Sequence, residues 1–314
     1  MPDNGRITTL TLNPALDLTL RVSKLNFDDS NRVNAVRKDP GGKGINVSRV
    51  LHELDREVTT LTFLGGNTGR EFRQLMKRQG LNLETVNLRS ETRENIIITE
   101  TENNAQTRLH QRGARVRPAE LEKMRELIGK HAKNTDFMVI GGTLPPGVPE
   151  DFYQKLILHL REVGVKCILD ADGECYQLGV AACPFMIKPN HFELARLVGQ
   201  KIENRRDLKD AANVLLDRGI EVVVVSLGKD GALAVNGREV FIAKPPLVAI
   251  GSTVGSGDSL VAGFLLKWSE GQALEECLKY GVAAGTATAL TPGTELLRAQ
   301  DVPPIYKKVK VTKA

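Results

Sequence analysis

The sequence of 314 residues lacks the features that would place it in several specialised classes. Its strongly apolar runs, such as Val222–Val225, are far shorter than the roughly 20 residues that a membrane-spanning helix needs. It has no run of five basic residues, and Lys plus Arg exceed Asp plus Glu only by 43 to 38. We therefore expect neither a membrane nor a nucleic acid as partner, and the mild positive charge suits small anionic ligands.

Signals for disulfides, histidine metal sites and export are also missing. The four cysteines form no Cys-x-x-Cys pair, and none of the five histidines lies three or four residues from another. The N-terminal residues Met1–Arg6 show no basic-then-apolar signal pattern. These absences predict reduced thiols in a soluble, cytoplasmic protein.

The sequence does contain short apolar runs that alternate with helical patterns. Strands are predicted at Ile7–Leu12, Val58–Leu64, Phe137–Ile140, Cys167–Asp170, Met186–Ile187 and Val222–Ser226. Helices are predicted at Ile45–Leu54, Glu150–Val163, Phe192–Val198 and Leu208–Arg218, from about Ser256 and Leu274, and after a capping box formed by Thr68 and Glu71. The alternation favours an α/β fold with a mainly parallel sheet covered on both faces. No linker or repeat divides residues 1–314, so one domain is expected.

Two regions interrupt the alternation. Leu18–Val36 and Asn95–Gln111 resemble short strands, the second with its turn at Asn103-Asn104. They carry little apolar bulk for a central sheet, so we expect a small β lid over one end of the large sheet. A further hairpin is predicted around Asn236-Gly237.

One segment near the C-terminus combines the parts that phosphoryl transfer requires. Gly255 and Gly257 permit a tight turn, and the apolar run from Leu260 predicts a helix whose first amides point at that turn. Asp258, in the first turn of the helix, is placed to take a proton from an incoming hydroxyl. Taken alone, these residues also fit a capped helix after a glycine turn.

Four other segments place polar groups at predicted strand ends or glycine turns. Gly41–Asn46 brings an ammonium and an amide to a helix start, which suits an anion or is simply a tight turn. Lys188–Glu193 suits either water-mediated contact to a cation or an N-cap with its box partner. Ser226–Gly231 would let a nucleotide pass close to the backbone, and Leu12–Asp17 offers a carboxylate to sugar hydroxyls.

In this order the segments resemble the PfkB (ribokinase-like) family of carbohydrate kinases over essentially the whole chain. The resemblance is carried by Thr11–Asp17, Gly41–Val47, Thr92–Asn95, Leu144–Gly147, Lys188–Asn190 and Gly255–Asp258. Within the family, the pattern is similar to the branch of fructose-phosphate and tagatose-phosphate kinases. This implies a ribokinase-like fold with a β lid at about 18–36 and 95–111, ATP as donor, Mg²⁺, and a homodimer through the lid.

The resemblance also implies roles for individual residues. Asp258 matches the catalytic base, and the anion hole is matched by Gly255, Ser256 and Gly257. The family's sugar-binding positions are matched by Asp17, Gly41, Gly42, Lys43, Asn46 and Thr143. Arg93 matches the arginine that meets the phosphate already present on the substrate. Nucleotide positions are matched by Lys188, Asn190, Ser226, Gly228, Gly231 and Thr253. Asn190 and Glu193 match the motif that holds Mg²⁺ through water, and K⁺ positions of some members are matched by Ser252, Val254, Thr288, Thr291 and Gly293.

Some residues depart from the family pattern. Ser256 stands where alanine is common and Thr143 where serine is common, and both changes are small. Ala171 and Asp172 replace small hydroxyl residues. A carboxylate at Asp172 would repel the phosphates unless it faces solvent, which leaves the role of the Asp170–Glu174 loop open.

The acceptor also stays open among fructose 1-phosphate, fructose 6-phosphate and tagatose 6-phosphate. Lys43 in its Gly-Gly-Lys-Gly turn resembles the first and third kinds of enzyme, and fructose 1-phosphate is the favoured reading. A non-catalytic sugar-phosphate sensor is the rival from another class, although it would not need Asp258, Lys188 and Glu193 together. A dinucleotide oxidoreductase is disfavoured because the first strand ends in Asn-Pro-Ala instead of Gly-x-Gly-x-x-Gly.

Overall fold

A computed structural model describes residues 5–103 and 105–313. The strands are β1 (Ile7–Thr11), β2 (Ala15–Val22), β3 (Ala35–Gly41), β4 (Val58–Gly65), β5 (Asn82–Leu88), β6 (Arg93–Glu100), β7 (Gln106–His110), β8 (Phe137–Gly141), β9 (Lys166–Asp170), β10 (Met186–Ile187), β11 (Val222–Ser226), β12 (Ala232–Asn236), β13 (Val240–Lys244) and β14 (Lys310–Lys313). The helices are α1 (Lys43–Glu53), α2 (Gly66–Arg78), α3 (Pro118–Ala132), α4 (Phe152–Glu162), α5 (Glu174–Ala181), α6 (His191–Val198), α7 (Arg205–Asp217), α8 (Ser256–Ser269), α9 (Leu274–Ala289) and α10 (Val302–Tyr306). Within these ranges no helix is both long and apolar enough to cross a membrane.

The large sheet has ten strands in the order β14-β13-β12-β11-β10-β9-β8-β1-β4-β5. The strands from β11 to β5 run parallel, and the last three strands of the chain add an antiparallel edge. Strand β1 lies in the parallel region, with Leu10 opposite Leu61 on one side and Ile140 on the other. The predicted parallel α/β architecture is confirmed.

Each face of this sheet is covered by its own apolar core. One core joins the sheet to α1, α2, α8, α9 and α10, with Phe72, Phe264 and Val282 among its buried side chains. The other joins it to the helices from α3 to α7, and Tyr153 and Leu215 are buried there. Alternate residues of the strands feed the two cores, so β8, β10 and β11 are largely apolar, as two-sided burial favours, whereas β1 also buries Thr8, Thr9 and Thr11.

The predicted capping box at Thr68 and Glu71 is wrong. Helix α2 begins at Gly66, and no side chain of its own caps it. Instead, the Glu91 carboxylate accepts hydrogen bonds from the backbone amides of Asn67 (2.9 Å) and Thr68 (3.0 Å). Glu91 lies in the loop before β6, so a distant segment satisfies the helix amides that local spacing assigned to a box.

A second sheet of four strands, in the order β3-β2-β6-β7, forms a separate layer that we call the lid sheet. Strands β2 and β6 start earlier than predicted, β3 extends beyond the predicted limit at Val36 to Gly41, and Asn104 of the predicted turn lies outside the described residues. The expectation of little apolar bulk is wrong for one face. Leu20 pairs with Val36 and Ile98 in register, Leu18 pairs with Ile96, and these side chains share that face.

Candidate active site

The polar residues predicted for the site follow neighbouring strands of the large sheet at their carboxyl ends. Thr143 follows β8, Asp170 ends β9, Lys188 follows β10 and Ser226 ends β11. Because these strands are parallel, their carboxyl ends meet at one edge. Ligands of open α/β sheets bind at this edge.

Asp258 is buried at the start of α8, and 9% of its surface is exposed. Gly255, with φ at 76°, caps the helix in the left-handed region that glycine adopts without strain. Asn46 on α1 donates a hydrogen bond of 2.8 Å to Asp258 Oδ2. Burial, and next the nearby Asp170 carboxylate, raise the pKa of Asp258 to about 7. A carboxyl group with a pKa near neutrality is suited to accept a proton during turnover.

A buried ion cluster lies beside Asp258. Lys43 Nζ is 2.8 Å from Asp170 Oδ1, and Lys188 Nζ is 3.3 Å from the other oxygen of the same carboxylate. Burial raises the pKa of Asp170, but the two lysines outweigh this effect and the net shift is downward. Asp170 is therefore an anion that fixes two ammonium groups at the site.

Lys188 also marks the anion hole. A Cβ placed on Gly257 would lie 3.4 Å from Lys188 Nζ, so the ammonium approaches the backbone at the start of α8 closely. The hydroxyl of Ser256 in the same turn is buried without a hydrogen-bond partner. Amides of the first helical turn, a cation and an unpartnered hydroxyl thus converge at one helix N-terminus, which attracts anions.

Asp17 lies on the inner face of the lid sheet and is 8% exposed. Asn95 donates a hydrogen bond of 2.8 Å to its Oδ1, and a side chain on Gly41 would overlap the carboxylate. Burial raises the pKa of Asp17 to about 6 against the opposing effects of Asn95 and Arg49. The Oδ1 atom of Asn95 is buried without a donor, which leaves an acceptor free beside this carboxylate.

Arg93 is held by backbone carbonyl groups. Its guanidinium donates to Gln111 O (2.8 Å), Asn13 O (2.9 Å) and Pro14 O (3.4 Å). Burial lowers the pKa of Arg93, and Asp17 opposes this shift. A guanidinium has five N–H donors, so a phosphate could still be met by those that the carbonyls leave.

A cavity of about 330 Å³ opens between β11, the 245–253 segment and the start of α8. It is lined by the predicted nucleotide residues Ser226, Gly228, Gly231 and Thr253, together with Ser256 and Gly257. Its walls also include Pro245, Leu247, Val282 and Ala289. An apolar cleft that ends at an anion hole suits a nucleotide base and its phosphates.

Asn190 and Glu193 form the capping box of α6 that the sequence offered as one alternative. Glu193 N donates to Asn190 Oδ1 (2.9 Å), and Asn190 N donates to Glu193 Oε2 (2.8 Å). In the described ranges no three His, Cys, Asp or Glu side chains converge as a metal site. The carboxylate still has lone pairs to spare, and Mg²⁺ is commonly held by one carboxylate, waters and substrate phosphates, so these residues fit the ion.

The segments predicted for K⁺ lie side by side. Gly251 N donates to Ala289 O (2.8 Å), which brings Ser252 and Val254 next to the end of α9. Thr291 Oγ1 donates to Thr288 O (2.8 Å), and both threonines are buried. Gly293 adjoins the same turn.

The site also contains residues that sequence reasoning did not assign to it. Asp170 was left without a role, although its position at the end of a buried strand was a signal. Asn95 was quoted as part of a motif but not as a site residue. Asn13 donates from Nδ2 to Thr143 Oγ1 (3.1 Å) and to Arg112 O (3.3 Å). The packing of the lid sheet on the large sheet brings Asn95 to the site, whereas Asn13 follows β1 of the large sheet.

Comparison with known proteins gives full-length relatives. The chain is 35% identical over 303 residues to the ATP-dependent 6-phosphofructokinase isozyme 2 of Escherichia coli, covering 96% of this chain and 98% of that protein. It is 33% identical to the 1-phosphofructokinase of Borreliella burgdorferi, with 97% and 98% covered. It is also 33% identical to a tagatose-6-phosphate kinase of Staphylococcus epidermidis, with 97% and 99% covered.

Solved structures match the whole fold. Phosphofructokinase-2 from Escherichia coli in complex with substrates and products superposes with a TM-score of 0.92 at 34% identity, covering 96% of this chain and 99% of that chain. The same enzyme in complex with potassium gives 0.91 at 34% identity, covering 97% and 99%. The family model for pfkB family carbohydrate kinases matches residues 11–300. The chain therefore belongs to the pfkB family of carbohydrate kinases and is a phosphotransferase that acts on a sugar hydroxyl.

Proposed function

We propose that this protein transfers the γ-phosphoryl group of ATP to a ketohexose phosphate, with fructose 1-phosphate as the first candidate and fructose 1,6-bisphosphate as product. The observation that carries the proposal is the position of Asp258. This carboxyl group has a pKa near 7, is held by Asn46, and adjoins both the apolar cavity and the Lys43–Asp170–Lys188 cluster. One base thus adjoins a nucleotide-sized cavity and a cluster of fixed cations.

The chemistry assigned to these residues is an in-line displacement. Asp258 accepts the proton of the sugar hydroxyl while the hydroxyl oxygen of the sugar forms a bond to the γ-phosphorus of ATP. At the same time the bond between the γ-phosphorus and the leaving oxygen of ADP breaks. The amides of Gly255–Gly257, Lys188 and Lys43 stabilise the charge on the moving group, and Ser256 offers its free hydroxyl. Mg²⁺, when bound near Asn190 and Glu193, would neutralise phosphate charge.

The acceptor side is assigned to Asp17, Asn46, Thr143, the Gly41-Gly42 turn and Arg93. Arg93 would meet the phosphate that the sugar already carries, because a planar guanidinium binds phosphate through two parallel hydrogen bonds. Lys43 favours fructose 1-phosphate or tagatose 6-phosphate, since the Gly-Gly-Lys-Gly turn is similar to those enzymes. Relatives named for all three acceptors have 33–35% identity, so 6-phosphofructokinase and tagatose-6-phosphate kinase stay as alternatives.

We further propose that the lid sheet closes over the sugar and pairs with a second copy of the chain. The inner face of the lid sheet is polar and buried at Asp17, Thr19, Asn95 and Thr99, whereas its outer face carries Val36 and Leu109 at 59% and 52% exposure. Apolar side chains that face away from the protein's own core favour an interface.

K⁺ beside Ser252 and Thr288 is proposed on the match to a potassium-bound relative. The cytoplasm is the proposed compartment, which suits four free thiols.

The decisive experiment measures ADP release with fructose 1-phosphate, fructose 6-phosphate and tagatose 6-phosphate in parallel. We expect the highest kcat/KM with fructose 1-phosphate and little turnover with unphosphorylated fructose. A clear preference for one of the 6-phosphates would replace the acceptor. Binding of the phosphosugars with no ADP release from any of them would favour a sensor.

A further inference from the structure

Asp172 is one of the residues at which this chain departs from its family's pattern, and the structure gives it a partner. Its Oδ2 lies 3.1 Å from Lys43 Nζ, and 46% of the Asp172 side chain is exposed. The carboxylate therefore reaches the ion cluster from the solvent side. The sequence alone predicted repulsion of the phosphates unless Asp172 faced solvent, and the ion pair with Lys43 changes that reading.

Lys43 already has a buried counter-ion without Asp172, although it shares that carboxylate with Lys188. Asp170 Oδ1 is closer, at 2.8 Å, and the Asp170 side chain is only 5% exposed. With Asp258, three carboxylates face the two ammonium groups of Lys43 and Lys188. When all five groups are ionised, Asp172 is the group that makes this cluster negative, in a place where phosphates must bind.

The cation that Asp172 holds belongs to the side of the site where phosphoryl transfer occurs. Lys43 shares Asp170 with Lys188, which lies against the backbone of Gly257 in the anion hole. Arg93, the candidate for the sugar's existing phosphate, instead contacts carbonyl groups around Asn13 and Gln111. The two sets of contacts share no residue, and we therefore assign Lys43 to the transferred group and Arg93 to the acceptor's phosphate.

We propose that Asp172 competes with the terminal phosphate of ATP for Lys43. In the free protein it holds the ammonium, it releases the ammonium when the phosphate enters, and it thereby lowers the affinity for ATP. This rests on the proposed function in naming ATP as the carrier of the phosphate. Asp172 is thus a residue that sets nucleotide affinity by acting through Lys43.

The difference in solvent exposure between Asp172 and Asp170 determines which carboxylate releases the Lys43 ammonium. Water can solvate Asp172 again when the ion pair opens, and ion pairs with an exposed partner contribute little free energy. Asp170 is buried between two lysines, and an unpaired charge there would be costly, so it keeps both. Competition at Asp172 therefore needs no rearrangement of the buried cluster.

The test is the dissociation constant of ATP, measured by calorimetry with Mg²⁺ present, for the wild type and for Asp172→Asn. We expect ATP to bind about two- to fivefold more tightly to Asp172→Asn, the range set by one exposed ion pair. Asp172→Glu keeps the charge and should stay within about twofold of the wild type. Asp217→Asn removes one charge from α7, outside the site, and should leave the affinity unchanged. The gain should shrink at high salt, because exposed charges are screened.

Unchanged or weaker ATP binding by Asp172→Asn would overturn the inference, because a structural or metal-holding role predicts no gain. Thermal unfolding of each variant checks folding, and Asp172→Ser, which restores a small hydroxyl residue, serves as the second variant. Failure of the proposed function gives a different result from failure of this inference. If the proposed function is wrong, the wild type itself binds no ATP or transfers no phosphoryl group. If only this inference is wrong, the wild type is active and the variants bind ATP with unaltered affinity.

Discussion

Asp258 is the residue whose chemistry is most sensitive to substitution. Asp258→Asn keeps the size of the side chain but removes the proton acceptor, so kcat should fall by roughly 10²–10⁴, the usual worth of general acid–base catalysis. Binding of ATP should change little, because Asp258 has no assigned contact with the nucleotide. Steady-state kinetics and calorimetry on the same preparation check this. Turnover near that of the wild type would exclude Asp258 as the base.

The raised pKa of Asp258 also predicts opposite effects of pH on activity and stability. Activity requires the ionised form, so kcat/KM should rise with pH through about 7. In the folded state the Asp258 carboxyl keeps its proton up to about pH 7, whereas in the unfolded state its pKa takes the ordinary value of 3.8. Between these two pH values the folded state therefore binds more protons than the unfolded state. The free energy of unfolding contributed by this group therefore falls as pH rises through that window.

Asp258→Asn cannot titrate at this position, which makes it the control for both effects. From pH 5 to pH 8 the wild type should lose roughly 2–3 kcal/mol of unfolding free energy relative to Asp258→Asn. Denaturant titrations of the two proteins at both pH values measure this difference. Parallel pH dependence in the two proteins would mean that Asp258 titrates at an ordinary pKa.

Arg93 has both a structural and a binding assignment, and two variants separate them. Arg93→Ala should raise KM for the phosphosugar roughly 10- to 100-fold, the range expected for charged hydrogen bonds, and leave KM for ATP nearly unchanged. It also removes the three bonds to backbone carbonyls, so thermal unfolding should shift downward. Arg93→Lys keeps the charge but loses the fork, and an intermediate KM is expected. Equal effects on both substrates would indicate a purely structural role.

At the scale of elements, the lid sheet is tied to the large domain by a few side-chain contacts. Gln106 on β7 donates to Ser252 Oγ (3.2 Å), and Thr294 donates to Asp39 on β3 (2.7 Å). Asp39 also accepts from Arg37 (2.6 Å) and from the buried Arg49 (3.2 Å). The contacts of Ser252 and Thr294 connect the lid sheet with the segments that flank α8 and α9, and the contact of Arg49 connects it with α1.

Gln106→Ala should therefore favour an open lid. One neutral hydrogen bond is worth about 0.5–1.5 kcal/mol, so KM for the phosphosugar should rise about two- to tenfold. ATP hydrolysis without acceptor should increase, because a closed lid excludes water. Thr107→Ala is the matched control, since Thr107 is the exposed neighbour on the same strand. The same change in both variants would assign the effect to the strand rather than to the tether.

At the scale of the whole molecule, the outer face of the lid sheet predicts association. Ile98→Lys places a charge among Leu20, Val36 and their neighbours and should convert a dimer into a monomer in sedimentation or light scattering. Arg108→Glu, opposite Ile97 and therefore on the other face of the lid sheet, tests whether any charge change on the lid has this effect. A wild type that is monomeric at every accessible concentration would contradict the prediction.

Most of the fold was predictable from the sequence because its signals are local. A strand buried on both faces is mostly apolar, so runs such as Val222–Ser226 were found with their observed limits. The starts of α8 and α9 were also found, since a glycine turn and a long apolar pattern mark them. Helices α3 and α5 were missed, and the capping of α2 was misassigned because Glu91 comes from another part of the chain.

The sequence by itself determined the family, the type of reaction and the residue types of the site. This was possible because glycine turns and the polar residues at strand ends recur in the family with a fixed order and spacing along the chain. The tertiary structure decided which charges meet. Asp170 bridges Lys43 and Lys188, Asp172 pairs with Lys43, and Arg93 contacts carbonyl groups of two distant segments. These residues lie up to well over a hundred positions apart in sequence, and electrostatic energy depends on distance and burial, which no local pattern encodes.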